Sequence, residues 1–318
     1  MIRHQIRLAA AAAACFVLAA CSGPANMEPP NIDVPTPLPS GIDFEPDIET
    51  APVDESCDPL ASYSPGAVTA EQARAQLDDG EQISIGISQS TNLMGYRDPE
   101  TNALAGFDID IATAVAEAVL GADANIRWVP MTSNERVPSL DEDRVDLIVR
   151  TMTMNCDRWN EVEFSAEYYH AGQRLLVPTA SGITGLADLT ADHLVCTGNG
   201  STSVRTIAEQ SEAQAVTVPD FNDCLVLLQQ GTVDAITTDD TILAGMAVQD
   251  PTLQVVGDAF SVEPYGIAFQ KGNTDLARFV NGALETIIAD GTWQAAYDKW
   301  LKGPLAVEGA PPGPKYRD

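Results

Sequence analysis

Between positions 83 and 151 two hydrophobic periods alternate, and this alternation restricts the fold more than any other feature of the chain. Residues 83–88 read as a strand, 107–120 as a helix with Asp108 near its start, 126–131 as a strand, 134–140 as a short helix and 145–151 as a strand. That order is the β-α-β order of a parallel sheet, in which helices cover the faces. A ligand then has its place at the carboxyl ends of the strands. A second set follows the Tyr168-Tyr169-His170-Ala171-Gly172 segment: strands at 174–178, 194–197, 215–219 and 235–238, with helices at 202–210, 222–230 and 241–248. A third section, a strand at 265–270 and helices at 275–289 and 292–301, is expected to return to the first sheet, and Pro311-Pro312-Gly313-Pro314 to close the chain as a tail over 303–318.

The stretch from Val145 to Ser165 carries the chemistry. Val145, Leu147, Ile148 and Val149 form a buried run that opens into Arg150, Thr151, Thr153 and Asn155 and reaches Arg158 before Phe164. Hydroxyls and a guanidinium at the end of such a strand point to a small anionic or zwitterionic ligand.

The amino terminus reads as an export signal. Arg3, His4 and Arg7 precede an apolar run from Leu8 to Ala20, too short to span a membrane comfortably. Leu18-Ala19-Ala20-Cys21 is similar to a bacterial lipobox, so positions 1–20 are expected to be removed and Cys21 to be lipidated. This would put the protein on the outer face of the cell membrane. From Ser22 to Asp58 there are eight prolines, nine acidic residues and no Lys or Arg, which predicts a disordered acidic tether over 21–58. The formal net charge of −29 argues against nucleic acid as a partner. It leaves an acidic ligand open, because a pocket needs only a few local cations and the far field is screened within about 8 Å.

Outside the signal and Cys21, four cysteines are available, and in an exported chain four thiols favour two disulfides among three possible pairings. Cys196 with Cys224 is preferred, since they fall in neighbouring elements, and Cys57 with Cys156 would staple the end of the tether to the globule. The alternative is a metal site, but C-x-x-C spacing is absent and only three His are present, so neither metal nor cofactor is expected.

The chain resembles the family 3 extracellular solute-binding proteins, receptors for polar amino acids. The likeness rests on Gly106-Phe107-Asp108-Ile109-Asp110, on Thr151-Met152-Thr153 with Arg158 and Phe164-Ser165, on Tyr265-Gly266-Ile267-Ala268-Phe269, and on Asp290-Gly291-Thr292-Trp293 and Tyr297-Asp298-Lys299-Trp300. It runs from about position 83 to 301. The resemblance implies an α/β, two-lobed periplasmic-binding-protein fold of type II. Lobe one would be 80–168 plus 266–302 and lobe two 172–260, with two hinge strands at 168–172 and 261–265.

It also implies roles. Arg158 matches the carboxylate arginine, whose planar fork grips a carboxylate as lysine cannot. Gly200-Ser201-Thr202-Ser203 matches the loop opening a lobe-two helix, with Ser201 and Thr202 at a positive dipole end. Asp239 matches the partner of the ligand ammonium, helped by the Thr153 hydroxyl and the Thr151 carbonyl; Ser88, Asn92 and Tyr265 complete the expected set. Arg136 resembles the arginine that acidic-amino-acid receptors place near a distal carboxylate, and Arg150 lies on the same strand as Thr151. The alternative for Arg136 is an exposed pair with Glu135 or Asp141.

Departures from the family bear on the ligand. Ser88 stands where many members carry Asp, and Thr91 and Ser133 replace aromatic residues that often sandwich the ligand. A pocket without aromatic walls suits a small polar side chain: glutamate or aspartate first, with asparagine and glutamine open. The expected protein is a monomeric, non-catalytic receptor whose closed form is read by an integral membrane importer or sensor. The competing expectation is an enzyme on the same fold, similar to cyclohexadienyl dehydratases, with Glu263 and Asp239 as the only cleft-side acids suited to proton transfer.

Overall fold

A computed structural model describes residues 37–48, 54 and 56–318. The export signal and Cys21 lie outside the described residues. The body, Leu38–Asp318, contains two five-stranded sheets.

In chain order the strands of the first sheet are β1 (Ile83–Ile87), β2 (Ile126–Pro130), β3 (Leu147–Ile148) and β4 (Val162–Phe164). They are joined late in the chain by β10 (Ala268–Gln270). The second sheet takes β5 (Tyr169–Pro178), β6 (Leu194–Gly198), β7 (Gln214–Val218), β8 (Ala235–Asp239) and β9 (Leu253–Tyr265). The first sheet runs β2-β1-β3-β10-β4, with β1 parallel to β2 and β3, and β10 antiparallel to β3 and β4. The second runs β7-β6-β8-β5-β9, with β6 parallel to β7 and β8. The third section of the chain thus returns to the first sheet. Two antiparallel strands, β5 and β9, pair from Tyr169–Tyr265 to Gly172–Val262 and carry the chain between the halves.

Periodicity explains the helices. In α1 (Phe107–Leu120) the buried Phe107, Ile111, Ala112, Val115 and Val119 recur at helical spacing and pack on Ile83, Ile85 and Ile87. Late in the chain, α7 (Thr274–Ala289) and α8 (Thr292–Trp300) add Leu276, Val280, Leu284, Trp293 and Tyr297 to the same core, with the Trp293 and Tyr297 rings stacked at 5.3 Å. The second lobe builds one core from Cys196, Val216, Val218, Phe221, Leu228 and Ile236, and another on the opposite face from Leu175, Val177, Val195 and Ile207.

Three local expectations change. The strand expected over 145–151 is shorter: the amides of Asp146 and Val149 donate to Ser84 O and Gly86 O of β1, and the ladder stops there because Thr151 turns to φ 40° and its amide leaves the sheet for the Asp108 carboxylate at 3.0 Å. The terminal stretch 303–318 is not a loose tail. Lys315 and Tyr316 pair in parallel with Ala61 and Ser62, and the Arg317 guanidinium lies 4.0 Å from the Trp159 ring centroid and 5.0 Å from that of Tyr63. Part of the stretch expected to be tether is also packed: Asp43 exchanges backbone hydrogen bonds with Thr217 at the edge of the second sheet, and Ile42 and Ile48 pack on the two cores of that lobe. Cys57 is bonded to Cys156 and Cys196 to Cys224.

Candidate functional site

The two lobes meet over a small, nearly filled cavity, with about 10 Å³ of space open to a water-sized sphere, lined by Ser133, Arg136, Thr151, Thr153, Arg158, Ser201, Thr202, Phe221, Thr238, Asp239 and Ile242. Four parallel strands deliver these groups at their carboxyl ends. β2 leads to Ser133 and Arg136, β3 to Thr151 and Thr153, β6 through Gly198 to Ser201, and β8 ends on Asp239. This is the position an open α/β sheet reserves for ligand.

One side of the cavity offers only donors. Arg136 is 3 % exposed and gives its protons to the carbonyls of Ser133 (2.9 Å), Arg150 and Thr151 (3.3 Å each) and, across the cleft, Gly200 (3.2 Å). Arg158, half-buried on α3 (Cys156–Glu161), donates to Thr153 O at 2.7 Å and also to Gly200 O at 3.2 Å. Among the described residues neither guanidinium forms an ion pair. Burial pulls the Arg136 pKa well below the usual arginine value, and the neighbouring Arg158 and Arg150 cations push it further. Burial also lowers Arg158, against the pull of Glu263 and Asp239. Both cations therefore gain when an anion enters.

From the other lobe comes the amino end of α4 (Thr202–Gln210). Its N-cap, Ser201, makes no side-chain capping bond, since the hydroxyl turns back to Gly198 O at 2.7 Å. The first-turn amides thus remain without a side-chain cap, as an anion site requires.

Acceptors occupy the remaining corner. Asp239 is 4 % exposed, and it precedes α6 (Asp240–Gln249) without capping it. The Tyr265 hydroxyl donates to its Oδ2 at 2.6 Å. Burial, then the nearby Glu263 carboxylate, drives the Asp239 pKa well above the ordinary carboxylate value. A bound cation would restore its charge.

Of the residues singled out in the sequence, Arg136, Arg158, Thr151, Thr153, Ser201, Thr202 and Asp239 come together on the cavity. The exposed-pair alternative for Arg136 is ruled out by its burial. The others take different places. Arg150 lies behind the wall, donating to Met131 O and to Ser133 Oγ at 2.7 Å each, and burial lowers its pKa to about 10. Ser88 is turned into its own loop, 2.8 Å from Thr91 Oγ1. Asn92 donates to Gly245 O at 3.1 Å and so bridges the lobes rather than lining the cavity. Tyr265 reaches the cavity only through Asp239. The Thr151 carbonyl, expected to help with an ammonium, is taken by Arg136. Sequence reasoning missed Phe221, Thr238 and Ile242, and Phe221 supplies an aromatic wall from lobe two where none was expected. Phe221 follows β7 by three residues, so the strand-end rule applied to every strand would have found it.

The lobes are closed. Besides the arginine contacts to Gly200 O, Ser90 Oγ donates to Asp220 Oδ2 at 2.6 Å and Asn222 Nδ2 to Ser90 O at 2.6 Å. Two glycines permit this approach: a Cβ on Gly200 would stand 2.7 Å from Asn134 Cα, and one on Gly245 2.4 Å from Asn92 O.

Two lobes joined by two connecting strands, with cations and an acid facing one another in the cleft between them, form a solute-receptor architecture, and residues 83–303 match the model of the bacterial extracellular solute-binding proteins, family 3. The chain belongs to that family. Among particular relatives it is similar to the ABC transporter glutamine-binding protein GlnH of Bacillus subtilis (strain 168), at 38 % identity over 72 % of this chain and 84 % of that protein. It is also similar to the glutamate-binding protein GluB of Corynebacterium efficiens, at 32 % identity over 69 % of this chain and 78 % of that one. Of solved structures, an ancestral arginine-binding protein bound to arginine superposes with a TM-score of 0.64 at 33 % identity, covering 70 % of this chain and 98 % of the other.

Proposed function

We propose that this protein is a non-catalytic receptor that closes on a free polar amino acid, glutamate or aspartate in preference to their amides, and presents the closed form to a membrane importer or sensor. The observation that carries this reading is the division of one cavity into a donor-only side and an acceptor corner. Arg136, Arg158 and the amino end of α4 complement carboxylate; Asp239 complements ammonium. A zwitterion satisfies both at once, and each charged end needs its partner once water is excluded.

The relatives that bind glutamine and glutamate support an amino-acid ligand. The second guanidinium favours an acidic side chain: one arginine serves the α-carboxylate and the other is left for a distal one, whereas a cationic side chain would be repelled. Contacts from both lobes to the same ligand make closure depend on its presence, since a ligand shifts the open-to-closed balance by its differential affinity. Lipid attachment at Cys21 completes the reading, placing the receptor beside its membrane partner.

Isothermal titration of the purified protein with glutamate, aspartate, glutamine, asparagine and arginine tests it. Tightest binding is expected for glutamate or aspartate and none for arginine. Absence of heat with all five would overturn the proposal. Loss of radioactive palmitate on replacing Cys21 by serine would support the anchor.

A further inference from the structure

Glu263 sits on β9 where the chain passes between the lobes, and it is 2 % exposed. It does not line the cavity, yet it is bonded to two residues that do. Its Oε2 accepts the hydroxyl proton of Thr153 at 2.6 Å from lobe one and that of Thr202 at 2.8 Å from lobe two. Its Oε1 accepts from Ser261 Oγ at 2.5 Å.

A hydroxyl has one proton and two lone pairs, and an ionised carboxylate has only acceptors. Once Thr153 and Thr202 give their protons to Glu263, each can show the cavity nothing but lone pairs. The same corner holds Asp239, also an acceptor, to which the Tyr265 hydroxyl donates. Without Glu263 the two hydroxyls would be free to rotate and could donate to a carbonyl or carboxylate as readily as they accept from an ammonium.

We propose that Glu263 is a positioning residue that sets ligand selectivity: by fixing the proton direction of Thr153 and Thr202 it makes this corner accept an ammonium and reject an oxygen acceptor in its place. The inference rests on the amino-acid-receptor reading and deepens it. It assigns the discrimination between an α-amino acid and the corresponding 2-oxo acid, which share both carboxylates, to a residue outside the ligand's reach.

The test compares L-glutamate with 2-oxoglutarate by isothermal titration on the full chain and on two variants, with thermal unfolding as the check on folding. Glu263→Gln keeps the shape but brings an amide donor, which needs a threonine oxygen as acceptor and so turns that threonine's proton toward the cavity. Thr202→Val removes one acceptor from the opposite lobe and leaves the Thr153–Glu263 bond in place. For the unchanged protein, glutamate is expected to bind at least a hundredfold tighter than 2-oxoglutarate. In each variant that ratio is expected to fall about tenfold or more, through weaker glutamate binding. Should Glu263→Gln fail to fold, Thr202→Val decides. A ratio within twofold of the original, whether both affinities hold or both drop together, would overturn the proposal while leaving the receptor reading intact. If the unchanged protein binds none of the five amino acids titrated above, the receptor reading falls and this inference with it.

Discussion

Replacing Gly200 by alanine should separate closure from folding. Gly200 has φ 75°, so alanine is strained there by about 1 kcal/mol in open and closed forms alike. In the closed form the new Cβ also meets Asn134, with Cα at 2.7 Å and N and Cβ at 2.8 Å, whereas ordinary contact begins at 3.4 Å. Both sides of this clash are backbone or its first carbon, which cannot rotate away, so the lobes must back off by about 0.7 Å. Arg136 and Arg158 each reach Gly200 O at 3.2 Å, and that retreat takes both beyond hydrogen-bond range. A hydrogen bond to a charged group contributes roughly 1.5–3 kcal/mol, and because Arg158 is half-buried the lower figure applies, giving about 3 kcal/mol for the pair. All of it is lost from the closed form alone. The dissociation constant for the best ligand should therefore rise about a hundredfold, while the midpoint of thermal unfolding without ligand moves by only a few degrees. Titration calorimetry and a melting curve on the same preparation read both. A dissociation constant within threefold of the original would refute the reasoning, because the lobes would then not meet at Gly200 when ligand is bound.

Three further outcomes follow from particular residues. Asp239→Asn should weaken glutamate at least a hundredfold by calorimetry, since a neutral amide cannot balance a buried ammonium. Burial of Asp108 pushes its pKa up to about 7, against the lowering effect of hydrogen bonds from the Tyr168 hydroxyl and the Thr151 amide; a folded state that holds this proton while the unfolded chain has released it loses stability as pH rises from about 4 to 7. Melting temperatures measured across that window should fall for the unchanged protein, and Asp108→Asn should flatten the fall by an amount on the order of 4 kcal/mol in unfolding free energy. Finally, removing residues 315–318 takes away the Arg317 stack on Trp159 and Tyr63 and its 2.6 Å bond to Ala61 O, and should cost about 2 kcal/mol of stability in a urea titration with ligand affinity unchanged.

What could be read from the chain was whatever local periodicity and residue chemistry decide. Helix α1 is legible because Phe107, Ile111, Val115 and Val119 already mark one face, and α4 because Gly200-Ser201-Thr202-Ser203 combines a turn residue with cap formers. Arg158 and Asp239 were within reach through the family resemblance, which matched them to a carboxylate-binding arginine and an ammonium-binding acid. Illegible were the features decided by contact between distant parts. Whether Asn92 faces ligand or the other lobe depends on how far Gly245 lets α6 approach. Arg150 and Arg136 look equivalent in sequence, yet only the turn at Thr151, held by Asp108, decides that one faces the cavity and the other backs Ser133. The terminal prolines read as a loose end because the partners of Arg317 lie more than 150 residues upstream, at Tyr63 and Trp159. Glu263 was noticed as a cleft-side acid, but two of its three hydroxyl partners, Thr153 and Thr202, come from distant segments.

The central claim, that both lobes clasp the charged ends of one free amino acid, is tested most directly by a crystal structure of the protein grown with L-glutamate. The account predicts density between the lobes, one carboxylate against Arg158 and the α4 amides, and the ammonium against Asp239. Glutamate bound elsewhere, or an ammonium turned toward the arginines, would contradict it.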